Sequence, residues 1–485
     1  MTGVRGMATD QGRAEREADP DAGTSDLLRR TAEHAIEYRS SLPDRRVTPT
    51  ATWDDLVAAL GGPLPDTGHG ADPVIDLLAR AVPPALMGMA GPRFFGFVLG
   101  GSQPAALAAD WLTAAWGQNS PSAVVTPASA VVERIAGEWL IGLFGLPVGS
   151  SVGFTTGGTM ANFTGLASGR HAVLMRAGWD VGRDGLHAGP AVTVIAGADA
   201  HVTLFHSIRL LGLGSGNVRR VAVDDQGRML PAALREVVAG VSGPAIVALQ
   251  AGNVNSGAFD PLGECIAVVR EHLPEAWIHV DAAFGLWAAA APSLSHLVAG
   301  HDGADSWSTD AHKWLNVPFD SGLIFVRDRA AHRAAMSFTE SYLTFDEEHN
   351  RDPGDYVTEL SRRARGFPVY AALRAIGRQG VVDLVERCCR YARRFADALR
   401  EDRGVAILND VVLNQVLVRF DDSDARTKDV IARLQADGTA FFAGGSWQGR
   451  FVMRISVINW WTRDRDVEVS LAAIRGALAA SRAAD

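Results

Sequence analysis

Residues 306–328, SWSTDAHKWLNVPFDSGLIFVRD, contain two short apolar segments with a polar turn between them. The composition of both segments is typical of buried strands, so the stretch predicts a strand, a tight turn and a second strand. His312 and Lys313 lie next to each other in this turn. Such a pair usually belongs to a solvated loop, so a chemical role depends on what the rest of the chain brings to the same place.

The same kind of segment recurs through the region that precedes this stretch. Six segments have the composition of strands: 191–197, 218–223, 244–252, 276–282, 306–311 and 322–328. Helical patterns such as HVTLFHSIRLLGLG (201–214) and PLGECIAVVREHL (261–273) separate most of them. This alternation predicts an α/β domain with a mostly parallel sheet, in which ligands bind at the carboxyl ends of the strands. Helices and a few strands after it predict a smaller α+β domain.

The overall composition restricts the class of protein. The chain has 485 residues, 47% of them hydrophobic, and a formal net charge of −9, which argues against nucleic acid or an anionic membrane as the main partner. Three cysteines without a Cys/His cluster predict neither a disulfide framework nor a metal site. The N-terminus lacks the apolar region of a signal peptide, and no apolar run reaches the length of a membrane span. These features predict a cytoplasmic protein.

Polar residues stand at the strand ends where such a sheet would bind a ligand. A Gly-Gly-Thr sequence at 157–159 begins a predicted helix, whose free N–H groups can bind phosphate. Four other polar residues follow or end strands: His201, Asn253, Asp281 and Lys313. Taken singly, each has an ordinary explanation as a turn, a helix cap or a buried polar group. Together they supply a phosphate site, an aromatic ring, a carboxylate and an amine, which are the parts that pyridoxal phosphate requires.

At this point the chain resembles the group II pyridoxal-phosphate-dependent decarboxylases, which include the aromatic L-amino acid and glutamate decarboxylases. The matching sequences are PRFFGFV (92–98), TTGGTMAN (155–162), ADAHVTLFHS (198–207), GAFDP (257–261), HVDAAFG (279–285), DAHKW (310–314) and LSRRARG (360–366). They span nearly the whole chain, and HVDAA followed by DAHKW at this separation is a fairly specific signature. The resemblance explains why a lysine and a histidine share the turn at 312–313.

The resemblance implies a fold and a division of the chain. The fold is that of the pyridoxal-phosphate-dependent transferases, aspartate aminotransferase-like or fold type I, with a large domain built on a mostly parallel sheet and a small C-terminal α+β domain. The expected parts are a disordered tail (1–24), an N-terminal segment that wraps a dimer partner (25–100), the large cofactor-binding domain (101–368) and the small domain (369–485). Family members are homodimers with the active site at the interface, so the resemblance also implies a homodimer.

Individual roles follow from the resemblance position by position. Lys313 is expected to hold pyridoxal phosphate in a Schiff base, Asp281 to bond the pyridine nitrogen, and His201 to stack on the ring. Further cofactor contacts are expected from Gly158, Thr159, Asn253, Ala283, Asp310 and His312. His312 is also expected to face the substrate. The substrate contacts expected are Phe97 and, for the α-carboxylate, Arg454.

The proton that replaces the carboxylate has a less regular candidate. In relatives, a tyrosine on a mobile loop before the SRR sequence donates it. Tyr356 occupies the corresponding segment, but only four residues separate it from Ser361, a shorter spacer than in the aromatic decarboxylases of animals. The polar segment 344–358 is expected to be mobile and to close over the site. Tyr356 is therefore predicted as the donor, with His312 or a water as the alternative.

Taken together, these features predict a carboxy-lyase that converts an L-amino acid into its amine and carbon dioxide. Four aromatic residues favour an aromatic or bulky substrate, although an ordinary core explains them equally well: Phe94, Phe95, Phe97 and Trp116. Gly100 and Gly101 stand where an aromatic-specific pocket would carry bulkier residues. Oxidative aldehyde formation and transamination on the same scaffold remain alternatives, as does a scaffold without activity. The amino acid itself is left open.

Overall fold

The computed structural model describes residues 21, 23–338 and 352–484, which divide into two units. The smaller unit, within residues 1–45 and 49–87, contains α1 (Thr24–Ser41), α2 (Trp53–Leu60) and α3 (Ala71–Ala81). A capping box begins α2, because Thr52 Oγ1 accepts from Asp55 N and the Asp55 carboxylate accepts from Thr52 N. None of the three helices buries a residue, so these helices contribute nothing to a core.

A seven-stranded sheet forms the centre of the larger unit, residues 46–48 and 88–485. Its strands are β1 (Ser151–Thr155), β2 (Thr193–Gly197), β3 (Arg219–Val221), β4 (Ala245–Gln250), β5 (Trp277–Asp281), β6 (Ser306–Asp310) and β7 (Gly322–Val326). The order is β1-β7-β6-β5-β4-β2-β3, with β7 antiparallel to both neighbours and the remaining pairs parallel. The mostly parallel sheet predicted from the sequence is confirmed. Strand β1 was not predicted, because its five residues lead directly into a glycine-rich turn.

Helices cover both faces of this sheet. They are α4 (Pro104–Trp116), α5 (Pro127–Phe144), α6 (Gly158–Arg176), α7 (Val181–Asp184), α8 (Val202–Leu210), α9 (Pro231–Ala239), α10 (Leu262–His272) and α11 (Arg329–Met336). Side chains along β2 alternate between the faces. Val194 and Ala196 belong to the core cluster that includes α6 and α8, and Ile195 belongs to the cluster that includes α9 and α10. This layering leaves the carboxyl ends of the parallel strands as the place for a site.

The C-terminal part of the larger unit adds a second, antiparallel sheet. Its strands, β8 (Val405–Ile407), β9 (Gln415–Phe420), β10 (Ala443–Trp447) and β11 (Arg450–Ser456), take the order β10-β11-β9-β8. Three helices accompany it: α12 (Gly366–Arg400), which is interrupted at Gly377, α13 (Asp424–Asp437) and α14 (Asp464–Arg482). The α+β character expected for this region is confirmed, whereas the division at residues 24, 100 and 368 stays a prediction. In the described part of the chain, no helix is long and apolar enough to cross a membrane.

Candidate active site

The ends of the parallel strands and the N-terminus of α6 enclose a cavity of about 320 Å³. Its lining residues are Thr156, Gly157, Gly158, Thr159, Met160, His201, Thr203, Ala283, Asp310, His312 and Lys313. Most of the cofactor contacts predicted from the sequence therefore lie around one cavity. They come from separate segments of the chain, and only the shared edge of the sheet brings them together.

Lys313 provides the amine of this cavity. It lies in the turn after β6, where its Nζ is 2.9 Å from Asp310 Oδ2 and 5.8 Å from the centre of the Phe284 ring. Asp310 is buried, and its second oxygen, Oδ1, has no hydrogen-bond partner among the described residues. One carboxylate oxygen thus holds the ammonium group, and the other is left with unused acceptor capacity.

The turn between β1 and α6 brings backbone N–H groups to the cavity. The first N–H groups of a helix have no partner inside it, so the start of this 19-residue helix can bind an anion. A Cβ on Gly158 would lie 2.7 Å from Asp310 Oδ2. A Cβ on Gly322 would lie 2.5 Å from the Gly157 backbone. Because these segments approach so closely, both positions require glycine. Without a Cβ at Gly158, the first N–H groups of α6 stay accessible to a phosphate group.

His201 caps α8 and also lines the cavity. Its Nδ1 accepts from Thr203 N at 3.4 Å and lies 2.7 Å from Thr203 Oγ1, while its backbone N–H donates to Gln250 Oε1 at 3.1 Å. Burial lowers the pKa of His201 more than the nearby Asp281 carboxylate raises it. The imidazole is therefore neutral, fixed in one orientation, and carries its hydrogen on Nε2. The helix cap is the ordinary explanation of this residue, and here it orients an aromatic ring beside the cavity.

Asp281 ends β5 with its side chain buried. Its Oδ2 accepts from Asn162 Nδ2 at 2.9 Å, and its Oδ1 accepts from the backbone N–H of Ala283 at 3.3 Å. Both donors are neutral, so neither cancels the charge of the carboxylate. Asp281 is not among the residues that line the cavity, but Ala283, whose N–H it accepts from, is one of them.

His312 is held by the chain that follows it. Its Nδ1 lies 2.9 Å from the carbonyl oxygen of Ser321, so Nδ1 carries the hydrogen, and its ring centre lies 4.5 Å from that of Phe319. Burial is the main cause that lowers the pKa of His312, which makes the ring neutral near pH 7. The remaining nitrogen, Nε2, is an acceptor on a residue that lines the cavity.

These groups fit pyridoxal phosphate. The N–H groups at the start of α6 suit the phosphate, the Lys313 amine suits the aldehyde, and the buried Asp281 carboxylate, whose hydrogen-bond partners are neutral, suits the pyridine nitrogen. The comparison with known families agrees. The family model described as the pyridoxal-dependent decarboxylase conserved domain matches residues 59–421.

The chain belongs to this family. Tryptophan decarboxylase 1 of Oryza sativa subsp. japonica is 28% identical in an alignment of 468 positions that covers 89% of this chain and 88% of that protein. L-2,4-diaminobutyrate decarboxylase of Rhizobium meliloti (strain 1021) is 28% identical and covers 82% of this chain and 80% of that protein. A crystal structure of Oryza sativa TDC with PLP and tryptamine superposes with a TM-score of 0.88 at 24% identity, covering 96% of this chain and 99% of that one.

The family and the fold establish the coarse activity. The protein is a pyridoxal-phosphate-dependent carboxy-lyase of fold type I that decarboxylates an amino acid. The strand-turn-strand at 306–328 places Lys313 at this cavity. The roles of individual residues stay predictions, and the structure shows where each of them lies.

Arg454 lies on β11 as a partly buried cation. Its Nη2 donates to the carbonyl oxygen of Val254 at 2.7 Å, whereas its Nε is buried without a partner among the described residues. Burial lowers the pKa of Arg454 to about 10, so the side chain remains charged at neutral pH. Its positive charge is one of the lesser causes that lower the pKa of His201, and a contact between Arg454 and the substrate stays a prediction.

Asn253 is placed in the turn after β4. Its Oδ1 accepts from Asn255 N at 2.8 Å and from Ser256 N at 3.3 Å, and its Nδ2 donates to Asp199 O at 3.4 Å. These bonds explain its burial by local structure. A contact between Asn253 and the cofactor stays a prediction.

The aromatic residues near position 95 separate into two groups. Phe94 and Phe95 are core residues, with Phe94 stacked on Phe441 at 5.0 Å, so the ordinary explanation holds for both. Phe97 is 56% exposed and stacks on the same Phe441 at 6.2 Å. Trp116 is also exposed. Within this chain, neither exposed ring lines the cavity.

The glycines that follow Phe97 have a packing role. A Cβ on Gly100 would lie 2.1 Å from the carbonyl oxygen of Lys313, and one on Gly101 would lie 2.8 Å from Asn459 Nδ2. The backbone therefore passes too close to the lysine turn for any side chain. These glycines say nothing about the size of the substrate.

Tyr356 lies in a short 3₁₀ helix, Pro353–Tyr356, whose residues are all buried. Its ring centre is 5.1 Å from that of His332 on α11, in an edge-on arrangement. Residues 344–351 of the expected mobile loop lie outside the described residues. Residues 352–357 are packed in this structure, since Asp355 bonds Arg333 at 2.8 Å and Val357 is fully buried, and the mobility expected of the segment stays a prediction.

Several residues that support the site were missed in the sequence. Asn162 bonds Asp281, Gln250 bonds His201, and Arg365 bonds Asp320 next to Phe319. One available signal was the alternation of polar residues inside buried strands, as in WIHVD (277–281) and SWS (306–308). A polar side chain at every second position of a buried strand indicates a polar partner on the covering helix.

Proposed function

We propose that the enzyme decarboxylates an L-amino acid with an aromatic or bulky side chain and releases the corresponding amine. The observation that carries this is Phe319, which packs on the His312 ring at 4.5 Å while remaining 56% exposed, so it offers an aromatic surface next to the lysine turn. The neighbouring carboxylate of Asp320 accepts from Arg365 at 2.9 and 3.0 Å. It is therefore engaged, and a basic substrate side chain finds no free partner there.

The residues that would hold the cofactor follow from their atoms. Lys313 Nζ would bind it covalently, the N-terminus of α6 at Gly158 and Thr159 would bind the phosphate, and the His201 ring would lie against the pyridine ring above Ala283. Asp281 would hold a proton at the pyridine nitrogen through a charge-assisted hydrogen bond. When bound, the cofactor supplies a conjugated ring that withdraws electrons from the substrate Cα. A protonated ring nitrogen strengthens this withdrawal, which gives Asp281 an electrostatic role.

Arg454 is assigned to the substrate carboxylate. A partly buried guanidinium whose Nε has no partner among the described residues has both the charge and a donor for a carboxylate oxygen. In the net reaction, the bond between Cα and this carboxylate breaks, carbon dioxide leaves, and Cα gains a proton.

Two residues are candidates for delivering that proton. Tyr356 is the residue that the resemblance implies, and it is buried against His332. His312 lines the cavity, and its Nε2 can first accept a proton. We assign the delivery to His312 in the arrangement described here, with Tyr356 as the second candidate.

The same position of Tyr356 favours a second candidate function. Oxidative decarboxylation consumes an amino acid, oxygen and water, and yields an aldehyde, carbon dioxide, ammonia and hydrogen peroxide. A tyrosine that is buried away from the cavity leaves Cα without one of its two proton donors, which favours this outcome.

The enzyme is also proposed to act as a homodimer. Phe97 and Phe319 are both exposed, and each lies close in the chain to a residue that packs in the lysine turn. The helices of the smaller unit bury no residue, and this unit exposes Trp53 on α2 and Leu64 between α2 and α3. A second copy of the chain would remove these apolar surfaces from water. Light scattering should then give twice the mass of the 51.5 kDa chain.

One assay tests the proposed function. The purified protein, loaded with pyridoxal phosphate, is incubated with each of the twenty amino acids, diaminobutyrate, ornithine and dopa, and carbon dioxide, amine, aldehyde and peroxide are measured. Carbon dioxide and amine in equal amounts from aromatic substrates support the proposal. Preferred turnover of diaminobutyrate would overturn the substrate class, and aldehyde with peroxide would establish the second candidate.

A further inference from the structure

A buried row of polar side chains lies behind Asp281, on the side of the sheet that α6 covers. Strands β5 and β6 pair so that His279 lies opposite Ser306 and Asp281 lies opposite Ser308. Residues two apart in a strand share a face, so these four side chains point toward the same helix. Asn162 of α6 meets them, and all five residues are at most 4% exposed.

The hydrogen bonds around Asn162 have a defined direction. Its Nδ2 donates to Asp281 Oδ2 at 2.9 Å. The reverse orientation of the amide would place its oxygen against the carboxylate, so Oδ1 points the other way. There it accepts from Ser308 Oγ at 2.5 Å and from His279 Nε2 at 2.9 Å. His279 must therefore carry its ring hydrogen on Nε2.

The row continues beyond His279. Its Nδ1 accepts from the Ser306 hydroxyl at 2.8 Å, and the Ser306 oxygen accepts from the indole N–H of Trp277 at 2.9 Å. Burial lowers the pKa of His279 to about 4, so the ring is neutral under physiological conditions. Every donor in the row thus points toward Asp281, and bonds aligned in this way strengthen one another.

The packing of α6 makes this contact possible. A Cβ on Gly165 would lie 2.7 Å from His279 Cε1, and one on Gly169 would lie 2.6 Å from Trp277 Cδ1. Asn162, Gly165 and Gly169 are spaced by three and four residues, which places them on one face of the helix. That face is shaped to the same two side chains that extend the row from Asn162.

We propose that Asn162 and His279 are positioning residues, which hold the Asp281 carboxylate in a fixed orientation and leave its charge for the pyridine nitrogen. The inference rests on the role proposed above for Asp281. A cation at position 162 would also fix the carboxylate, but it would compete with the pyridine nitrogen for the negative charge. A neutral amide avoids this competition, and a neutral histidine behind it keeps the amide from turning.

A matched pair of variants isolates the donor of His279. In His279→Gln, the side-chain amide can still donate to Asn162 Oδ1, whereas His279→Met has a similar length and no donor. Each variant and the wild type are reconstituted with pyridoxal phosphate labelled with ¹⁵N in the ring. The ring-nitrogen chemical shift reports its protonation, and a titration of the apoprotein gives the dissociation constant of the cofactor.

The expected result separates the two variants. His279→Gln should keep the wild-type shift and affinity, whereas His279→Met should move the shift toward the unprotonated value and raise the dissociation constant about tenfold. A wild-type shift and affinity in folded His279→Met would overturn the proposal. An equal change in both variants would also overturn it, because the imidazole would then act by packing and not by its donor.

Two further measurements keep the test decisive. If His279→Met does not fold, Asn162→Ala removes the donor to Asp281 Oδ2 directly, and an unchanged ring-nitrogen shift in that variant would overturn the proposal. Circular dichroism of the apoproteins establishes folding. The wild-type titration comes first, since an absence of cofactor binding there would overturn the proposed function itself, while normal wild-type binding with unaffected variants would overturn the positioning role alone.

Discussion

The enzyme contains two buried ion pairs that are built differently. In the cavity, Lys313 contacts one oxygen of Asp310 at 2.9 Å, and its side chain remains 17% exposed. Behind β1, Arg362 binds both oxygens of Glu133 at 2.9 and 3.0 Å, and both side chains are fully buried. The first pair has a free oxygen on the carboxylate and access from the cavity, and the second has neither.

The difference matches what each cation can do. A lysine amine is compact, held by a single contact, and can exchange its carboxylate for a covalent partner, whereas a guanidinium forms a planar two-point contact and does not deprotonate in proteins. The chain has only two lysines, Lys313 and Lys428, among its 46 lysine and arginine residues. Arginine therefore serves nearly all structural pairs, and we propose that Lys313 stands where the chemistry requires an amine.

The largest effect is expected from removing the reactive amine. Lys313→Ala should abolish turnover and leave the fold intact, because no other lysine lies in the cavity. Borohydride treatment of the loaded enzyme, followed by peptide mass spectrometry, should place the cofactor on Lys313 in the wild type and on no residue of the variant. Lys428→Ala is the matched control, because this lysine lies on α13 over the Phe451 ring, and it should keep full activity. Substantial turnover in Lys313→Ala would show that the wrong lysine has been assigned.

Asp281 is a third buried carboxylate, and unlike Asp310 and Glu133 it has only neutral hydrogen-bond partners. Asp281→Asn should lower kcat by about 10²–10³-fold, as expected for the loss of one electrostatic contact to a reacting system. The cofactor should still bind through Lys313 and the helix N-terminus, which an absorbance spectrum would show. Near-normal kcat in this variant would remove the role assigned to the pyridine nitrogen.

The structural pair should affect stability instead of chemistry. Glu133→Gln leaves the Arg362 charge buried and unpaired, so we expect it to lower the free energy of unfolding by roughly 3–5 kcal/mol. Asp110→Asn is the control, because Asp110 pairs with Arg363, the neighbour of Arg362 in the sequence. This second pair is partly exposed, and such pairs contribute about 0–1 kcal/mol. Urea denaturation measures both. A loss of activity in the folded Glu133→Gln protein that exceeds its loss of stability would contradict this structural role.

The sequence predicts the residues around the cavity better than it predicts the buried pair of Arg362 and Glu133. The strands, the helix after the glycines, and the residues at the strand ends follow from local composition and periodicity, which is why Lys313, Asp281 and His201 could be placed. The partner of Arg362 could not, because Glu133 lies 229 positions earlier and meets it only when α5 packs behind β1. Asn162 escaped for the same reason, since its contact depends on the packing of α6.

Exposed residues mark a further limit of the sequence. Phe97, Trp116 and Phe95 are all aromatic residues in apolar segments. Nothing in their local sequence distinguishes the exposed rings of Phe97 and Trp116 from the buried ring of Phe95. Gly100 reads as a small residue in a pocket, whereas the structure shows a backbone pressed against Lys313. Both interpretations fail because they depend on which distant segment lies opposite.

A smaller effect is expected from the neutral His279 behind Asp281. Its pKa in the folded enzyme, about 4, is below the ordinary value of 6.5, so the unfolded chain binds the extra proton more readily. Its contribution is therefore fully present above pH 6.5 and is lost as the pH falls toward 4, by up to about 3 kcal/mol. The difference in unfolding free energy between wild type and His279→Gln, measured by urea titration from pH 7.5 to 4.5, should shift in favour of the variant. A constant difference would mean that His279 titrates normally.

The smallest effect is expected from the pair of Arg365 and Asp320. Its arginine is buried and its carboxylate is partly exposed, so its burial is intermediate between a buried pair and a surface pair. Its carboxylate is 41% exposed, so Asp320→Asn should change the unfolding free energy by less than about 1 kcal/mol. Phe319 precedes Asp320 and packs on His312, so a looser pair should free this ring and raise KM for an aromatic amino acid a few-fold, with kcat nearly unchanged. The double variant Phe319→Leu, Asp320→Asn should raise this KM no further than Phe319→Leu does alone, because both changes act through one ring. Steady-state kinetics on the four combinations measures this, and fully additive effects would show that Asp320 does not act through Phe319.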